Sequence, residues 1–367
     1  MKKILLEQWN RYPKMELTDA VKLLYQSEFG GGHMIADPHK SLEFLKEEWK
    51  QERDREKGSK RRDFPVYEYI GDGMYRMYLQ ALEDHIFPET LNQMFVLSAQ
   101  HKKGTTESFE QKLEMLLECC RSGELPFEEQ EANEYLADYK KQGYPAVSHS
   151  TAYKEAYHPA YRVVEERFVQ YYPVLQYIDR EAEEKQKQSM SGQSQRGESQ
   201  MLVAIDGMCG SGKTTLGQVL SKVYDCNLFH MDDFFLRPEQ RTPERMAQDG
   251  GNVDYERFQN EILDHISEPD GLTYTTYDCK SQTLKDSVTA PWKFLNIVEG
   301  SYSQHPYFGQ IYDLRFFCET DSNEQLRRIR LRNGEKMAER FRTEWIPRED
   351  RYFKAFQIRE NSIPVRS

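Results

Sequence analysis

The chain is short of several things, and each shortage removes a class of function. It carries 50 lysines and arginines against 61 acidic residues, a formal net charge of −11. It therefore lacks the basic excess that salt-driven binding to nucleic acid or to an anionic membrane rewards. Only six of its 367 residues are cysteine. Cys119 and Cys120 are adjacent, the rest are scattered, and no CxxC pair or zinc-type spacing occurs. Neither a disulfide framework nor a structural metal site is expected, which places the chain in a reducing cytoplasm. In MKKILLEQWN the apolar run is Ile4 to Leu6 alone, far short of a signal core or a spanning helix. What remains is a partner of low molecular weight, with no nucleic acid and no membrane; a homo-oligomer is compatible with all of this.

What is present is sharper. In MLVAIDGMCGSGKTTLGQVL an apolar run, Leu202, Val203, Ala204 and Ile205, enters Gly207-Met208-Cys209-Gly210-Ser211-Gly212-Lys213-Thr214, and a helical pattern follows from Thr215. That is a phosphate-binding P-loop in its proper context of strand, loop and helix. Gly207, Gly210, Ser211 and Gly212 let successive backbone N–H groups turn inward on a phosphate, Lys213 reaches the β- and γ-phosphates, and the Thr214 hydroxyl takes a place on Mg²⁺. ATP and Mg²⁺ are the cofactors this implies. Cys209 lies near a helix N-terminus, where a thiolate is favoured. We read it as loop filler, because the backbone does the cradling.

At about 150 residues per domain, the length predicts two domains. The stretch EAEEKQKQSMSGQSQRGESQ, 181–200, has no aromatic or β-branched residue and reads as a flexible linker. Before it, 1–180 is mainly α by periodicity. Val21, Leu24, Tyr25 and Glu28 share a face stopped by Gly30-Gly31-Gly32; Leu42, Leu45 and Trp49 mark a second helix, and Leu113, Leu116 and Leu117 a third. After it, in 201–367, strand-like runs alternate with helical ones: Leu202 to Ile205, Asn227 to His230, Leu272 to Thr276, Leu295 to Val298 and Leu314 to Phe317. Such alternation predicts an α/β domain with a doubly wound parallel sheet.

Two acidic sites fall at strand ends: Asp232 and Asp233 in NLFHMDDFF, and Glu299 in FLNIVEGSYS. The carboxyl ends of neighbouring strands meet at one rim of such a sheet, so Asp232 and Glu299 are expected beside the P-loop, suited to a metal and a general base. Capping of a following helix is the plainer role for either, and for Asp233 the two roles weigh evenly. A guanine-reading Asn-Lys-x-Asp is absent, and so is a strand ending in Asp-Glu for water activation. A kinase for a small hydroxyl compound fits what is left.

These residues resemble the uridine kinase and phosphoribulokinase family of P-loop kinases over roughly 201–358. The resemblance implies that Asp232 of MDDFF is the base toward the acceptor hydroxyl and a magnesium ligand, and that Glu299 of the EG pair completes the magnesium shell with Thr214. It further implies that Asp254 of GGNVDYERF meets ribose hydroxyls, that Tyr277 of TTYDCKSQ meets the base, and that Asp233 lies on the acceptor side. Arg327, Arg328, Arg330 and Arg332 of LRRIRLRNG would form a lid over the phosphates, with Arg328 and Arg332 acting in catalysis. A solvated helix face is the plainer account of those arginines. Asp321 to Glu324 reads as a capping box. The His that follows the family's YDF stretch is replaced by Cys279-Lys280-Ser281-Gln282, which loosens pyrimidine recognition. The function implied is ATP-dependent phosphorylation of a hydroxyl on a nucleoside or similar metabolite. An ATP-sensing module with a helical effector, or a bifunctional enzyme, are the rival readings.

The first half resembles nothing named. His33 and Asp37 in EFGGGHMIAD, and His149, His158 and Arg162 in VSHSTAYKEAYHPAYRVV, would make a metal or phosphate site if the fold joined them. Capped helix ends and half-buried histidines are the plainer account. Tyr153, Tyr157 and Tyr161 fall at helical spacing and are expected on one packed face.

Overall fold

The computed structural model describes residues 1–32, 35, 37–56, 65–101, 104–190 and 200–366. The chain divides into two compact units, Met1–Tyr172 and Pro173–Ser367.

The first unit is mainly helical, as its periodicity predicts. Helix Leu17–Phe29 starts at a reciprocal Glu16–Asp19 capping box, buries Ala20, Val21, Leu23 and Leu24, and stops at Gly30, whose φ of 64° lies in the left-handed region. Helices Pro38–Glu56 and Thr106–Arg121 carry the other two expected faces. The periodicity does not announce a three-stranded antiparallel sheet, in order β1 (Tyr67–Gly71), β2 (Met74–Tyr78), β3 (Tyr161–Glu165). Its first hairpin turns on Asp72-Gly73, both at positive φ, the conformation that Asp-Gly supplies to tight hairpins. The tyrosine triplet is thereby split. Tyr153 and Tyr157 lie on helix Thr151–Tyr157 and Tyr161 on β3, yet all three join one core with Leu5, Val21, Leu24, Phe109 and Leu116.

The second unit is built on β4 (Met201–Gly207), β5 (Cys226–His230), the pair β6 (Leu272–Asp278) and β7 (Thr283–Ala290), then β8 (Leu295–Glu299), β9 (Leu314–Glu319) and β10 (Ile363–Arg366). Five of these form one sheet in the order β10-β9-β4-β8-β5, every neighbouring pair parallel. β4 is central and fully apolar at Val203, Ala204 and Ile205, as a strand covered on both faces must be. The expected strand from Leu272 lies outside this sheet. It pairs antiparallel with β7, because four residues between β6 and β7 allow a hairpin and no crossover. β10 takes the vacant place beside β9.

The expected boundary also moves. Helix Tyr172–Met190 runs through the first half of the stretch read as linker, since Glu, Ala, Lys and Gln are strong helix formers as well as poor core formers. It belongs to the second unit: Tyr224 Oη donates to Asp179 Oδ1 at 2.8 Å, and Lys185 Nζ lies 2.8 Å from Asp313 Oδ1. Residues 191–199 lie outside the described residues. Among the described residues, no helix is long and apolar enough to cross a membrane.

Candidate active site

β4 delivers the chain into the P-loop with Gly207, Gly210 and Gly212 at φ 136°, 73° and 93°. Gly207 has a second constraint, since a Cβ there would stand 2.1 Å from the Cys318 carbonyl oxygen on β9. The loop opens onto the N-terminus of helix Lys213–Val223, where unpaired amides and the helix dipole favour an anion. Lys213 Nζ donates to the carbonyls of Gly207 at 2.7 Å and Met208 at 2.9 Å. Among the described residues no carboxylate pairs with it, so its charge stays available to a phosphate.

Next to the loop, His230 on β5 and Glu299 on β8 are register partners. His230 Nδ1 lies 2.5 Å from Glu299 Oε1, and Thr214 Oγ1 donates to Glu299 Oε2 at 3.3 Å. The bond to Glu299 raises the His230 imidazole above its ordinary value. Asp232 follows on the short turn Met231–Phe234. Its side chain is open to solvent but sits in a recess crowded by protein, and that crowding, with Glu299 beside it, raises its carboxyl while Lys213 and His230 oppose the rise. Lys213, Thr214, Asp232 and Glu299 thus gather at the carboxyl ends of β4, β5 and β8. The second unit has the fold of a P-loop kinase.

The other expected residues divide. Of the arginines, Arg328 reaches the loop, Nη1 to the Gly210 carbonyl at 3.4 Å, while it pairs with Glu324. Arg327 pairs with Glu324, Arg330 with Glu335, and Arg332 Nε donates to Asn333 Oδ1. Those three lie on the solvated face of helix Ser322–Asn333, and the partners named are on or next to that helix. Asp321 caps that helix by accepting from Asn323 N and Glu324 N. Asp233 is part-buried and its carbonyl accepts from Arg257. Asp254 is buried as the N-cap of helix Tyr255–Phe258, and its other oxygen accepts from Gln240 Nε2 at 2.8 Å. Its backbone N–H bonds the Phe234 carbonyl at 2.7 Å, which ties it to the Asp232 turn. Tyr277 is buried, and its hydroxyl accepts from Arg241 at 2.9 Å. Gln282 stands at the exposed tip of the β6–β7 hairpin, at φ 58°. Burial pushes the Cys209 thiol well above its ordinary value and Gln325 donates to its sulfur, so it is a neutral packing group.

Three groups that hold the loop escaped the sequence reading. Asp206, fully buried at the end of β4, accepts from the amides of Gly207, Tyr302 and Gln304 and from the Tyr352 hydroxyl at 2.9 Å; burial pushes its carboxyl up to about 6. Glu349, on helix Ile346–Ala355, accepts from Cys209 N at 2.9 Å and from Ser301 Oγ at 2.6 Å. Gln325 donates to the Cys209 carbonyl at 3.0 Å. A carboxylate inside an apolar strand was a signal for Asp206. Glu349 and Gln325 come from more than a hundred residues away, which no local spacing encodes.

In the first unit the described members of the expected cluster lie in separate settings. Asp37 caps helix Pro38–Glu56 through His39 N. His149 bridges Asp19 Oδ1 at 2.7 Å and the Tyr161 hydroxyl at 2.6 Å, while Arg162 pairs with Glu48 at 2.7 Å. His158 ends helix Thr151–Tyr157 at φ 40°. His33 lies outside the described residues. Among the described residues, no group of three His, Cys, Asp or Glu side chains could hold a metal ion.

The family model of shikimate kinase matches residues 209–276. A bifunctional shikimate kinase/3-dehydroquinate synthase from Thermotoga maritima is 32% identical over 76 residues, which is 21% of this chain and 15% of that protein. The chain thus spans a small part of that relative. Among solved structures, one described as a possible uridine kinase from Bacillus stearothermophilus is 18% identical with a TM-score of 0.37, covering 52% of this chain and all of that one. One described provisionally as a fructose transport system kinase, from Silicibacter sp. TM1040, is 21% identical at the same TM-score, covering 48% of this chain and 94% of that one.

Proposed function

We propose that the second unit transfers the γ-phosphoryl group of ATP to a hydroxyl of a small metabolite. The observation that carries this is the gathering of Lys213, Thr214, Asp232 and Glu299 at one rim of the sheet. The donor set suits Mg²⁺: a hydroxyl and two carboxylates are hard oxygen ligands, and this ion is held by one or two carboxylates together with substrate phosphates and water. Bound there, Mg²⁺ would neutralise charge on the β- and γ-phosphates. The amides of Gly210 to Thr214 bind the phosphates, Lys213 and Arg328 stabilise the charge that builds during transfer, and Asp232 takes the proton of the acceptor hydroxyl. The raised carboxyl of Asp232 supports that last role, since a base works best as its pKa approaches the working pH. Six free cysteines suit a reducing cytoplasm.

For the acceptor, the nucleoside reading rests on Asp254 and Tyr277 lying beside the Asp232 turn. A second reading follows from the shikimate kinase match together with Arg241, which has no carboxylate partner among the described residues and would suit the carboxylate of a hydroxy acid. The test is ADP release by the full chain across ribonucleosides, their 2′-deoxy counterparts, shikimate and other hydroxy acids, with Lys213→Ala as the baseline. A ribose preference supports the first acceptor and a carboxylate requirement the second. ATP binding without release above baseline for any compound would leave a sensor in place of a kinase.

A further inference from the structure

The first unit has a cleft of about 890 Å³ between helix Lys2–Arg11 and β1, within which Gln8, Arg11, Tyr12, Tyr67, Glu68 and Tyr157 meet. β1 alternates so that Tyr67 and Tyr69 are exposed and Glu68 is buried. A carboxylate in that place needs partners, and the partners are informative. The hydroxyls of Tyr12 and Tyr78 donate to Glu68 at 3.2 Å and 3.1 Å. They fix its direction and leave its charge. Its cross-strand neighbour Arg76 turns away, donating to Gln26 Oε1 at 2.8 Å and lying over the Tyr161 ring, and it makes no ion pair among the described residues. Arg76 acts on Glu68 only through space, and among the described residues the ion-pair partner of Glu68 is Arg11, at the end of the helix, whose side chain is 55% exposed.

We propose that this cleft binds a small organic cation, an amidinium, guanidinium or ammonium on a flat apolar body. The Arg11 guanidinium stands where the ligand's cation would stand, and it is the expendable partner. Its own side chain is more than half exposed and can exchange Glu68 for water, whereas the carboxylate, 4% exposed, goes on requiring a cation. With Arg11 swung out, Glu7 and Glu68 leave the lining net negative. Tyr67 and Tyr157 supply ring faces, which attract a cation through the ring quadrupole and cover the body of the ligand. Gln8 joins the floor to Arg76, which explains why so much buried polar structure sits behind an open cleft.

Benzamidine, benzamide and benzoate share one shape and differ in charge, so titration calorimetry of the full chain with these three probes is the test. Benzamidine should bind, with benzamide weaker by about tenfold and benzoate weaker still. Arg11→Ala, at an exposed position, should tighten benzamidine about threefold or more by removing the competitor. Glu68→Gln should lose about tenfold or more. Should Glu68→Gln fail to fold, Arg11→Ala decides by itself. Benzoate or benzamide binding as well as benzamidine, unchanged or weaker benzamidine in Arg11→Ala, or no binding of benzamidine to either protein at millimolar concentration would each overturn the assignment.

Discussion

Replacing Glu349 tests whether the P-loop is held from outside. Its carboxylate is 7% exposed and satisfies both the Cys209 amide and the Ser301 hydroxyl. Glu349→Ala strands two donors in a buried place, at about 1–3 kcal/mol each. The total, about 2–6 kcal/mol, corresponds to roughly 4–24 °C in Tm for a unit of this size. Glu349→Gln keeps an oxygen for the amide and offers its NH₂ to Ser301, so it loses only the charge assistance, about 1 kcal/mol. Scanning calorimetry reads these values, and ADP-release kinetics should show KM for ATP rising more than kcat falls, because the loop loses position before it loses chemistry. Combining Glu349→Ala with Ser301→Ala should couple by about 1 kcal/mol. An alanine variant within about 0.5 kcal/mol of wild type with unchanged KM would refute the argument. Equal losses in the two Glu349 variants would show that charge, and not geometry, was at work.

Three further outcomes are expected. Lys213→Ala should cut turnover by about a hundredfold or more while leaving the melting curve in place; wild-type turnover would remove the P-loop from the reaction. Asp232→Asn should cost on the order of 10²–10⁴ in kcat with ATP affinity nearly kept, and an equal loss for Asp233→Asn would mean the roles are misassigned. Burial drops the His149 imidazole from 6.5 to about 4. The unfolded chain therefore takes up a proton near pH 6.5 that the folded chain refuses until about pH 4, so the stability linked to this neutral group is complete above pH 6.5 and lost as the pH falls toward 4, by about 3 kcal/mol. The urea-midpoint gap between wild type and His149→Gln should narrow across that window, and a constant gap would contradict the assignment.

The legible parts of this molecule are the local ones. A P-loop is eight consecutive residues, and strands buried on both faces read as apolar runs, so β4, β5, β8 and β9 were visible along with Asp232 and Glu299 at their ends. β1 and β2 were not, because their inward positions include Glu68 and Arg76 while Tyr67 and Tyr69 point outward, which inverts the usual alternation. Ile363–Arg366 is short and contains a proline, tolerable only because β10 is an edge strand. The lid arginines form one run in sequence, but a helix turns 100° per residue and sends them to different sides. Only Arg328 of that run reaches the loop. Asp254 and Tyr277 were singled out by the family resemblance, and their partners Gln240 and Arg241 came with the fold.

The helix Tyr172–Met190 has a consequence for dissecting the chain. Its covalent link runs back to the first unit, while Tyr224, Asp313 and Phe316 of the second unit hold it. A protease site engineered between 190 and 200 would therefore produce two pieces that stay together by complementation, the first lending its terminal helix to the second. A fragment started at Gln200 would lack that helix and leave Tyr224 and Asp313 without these partners, so the transferable module begins at Pro173.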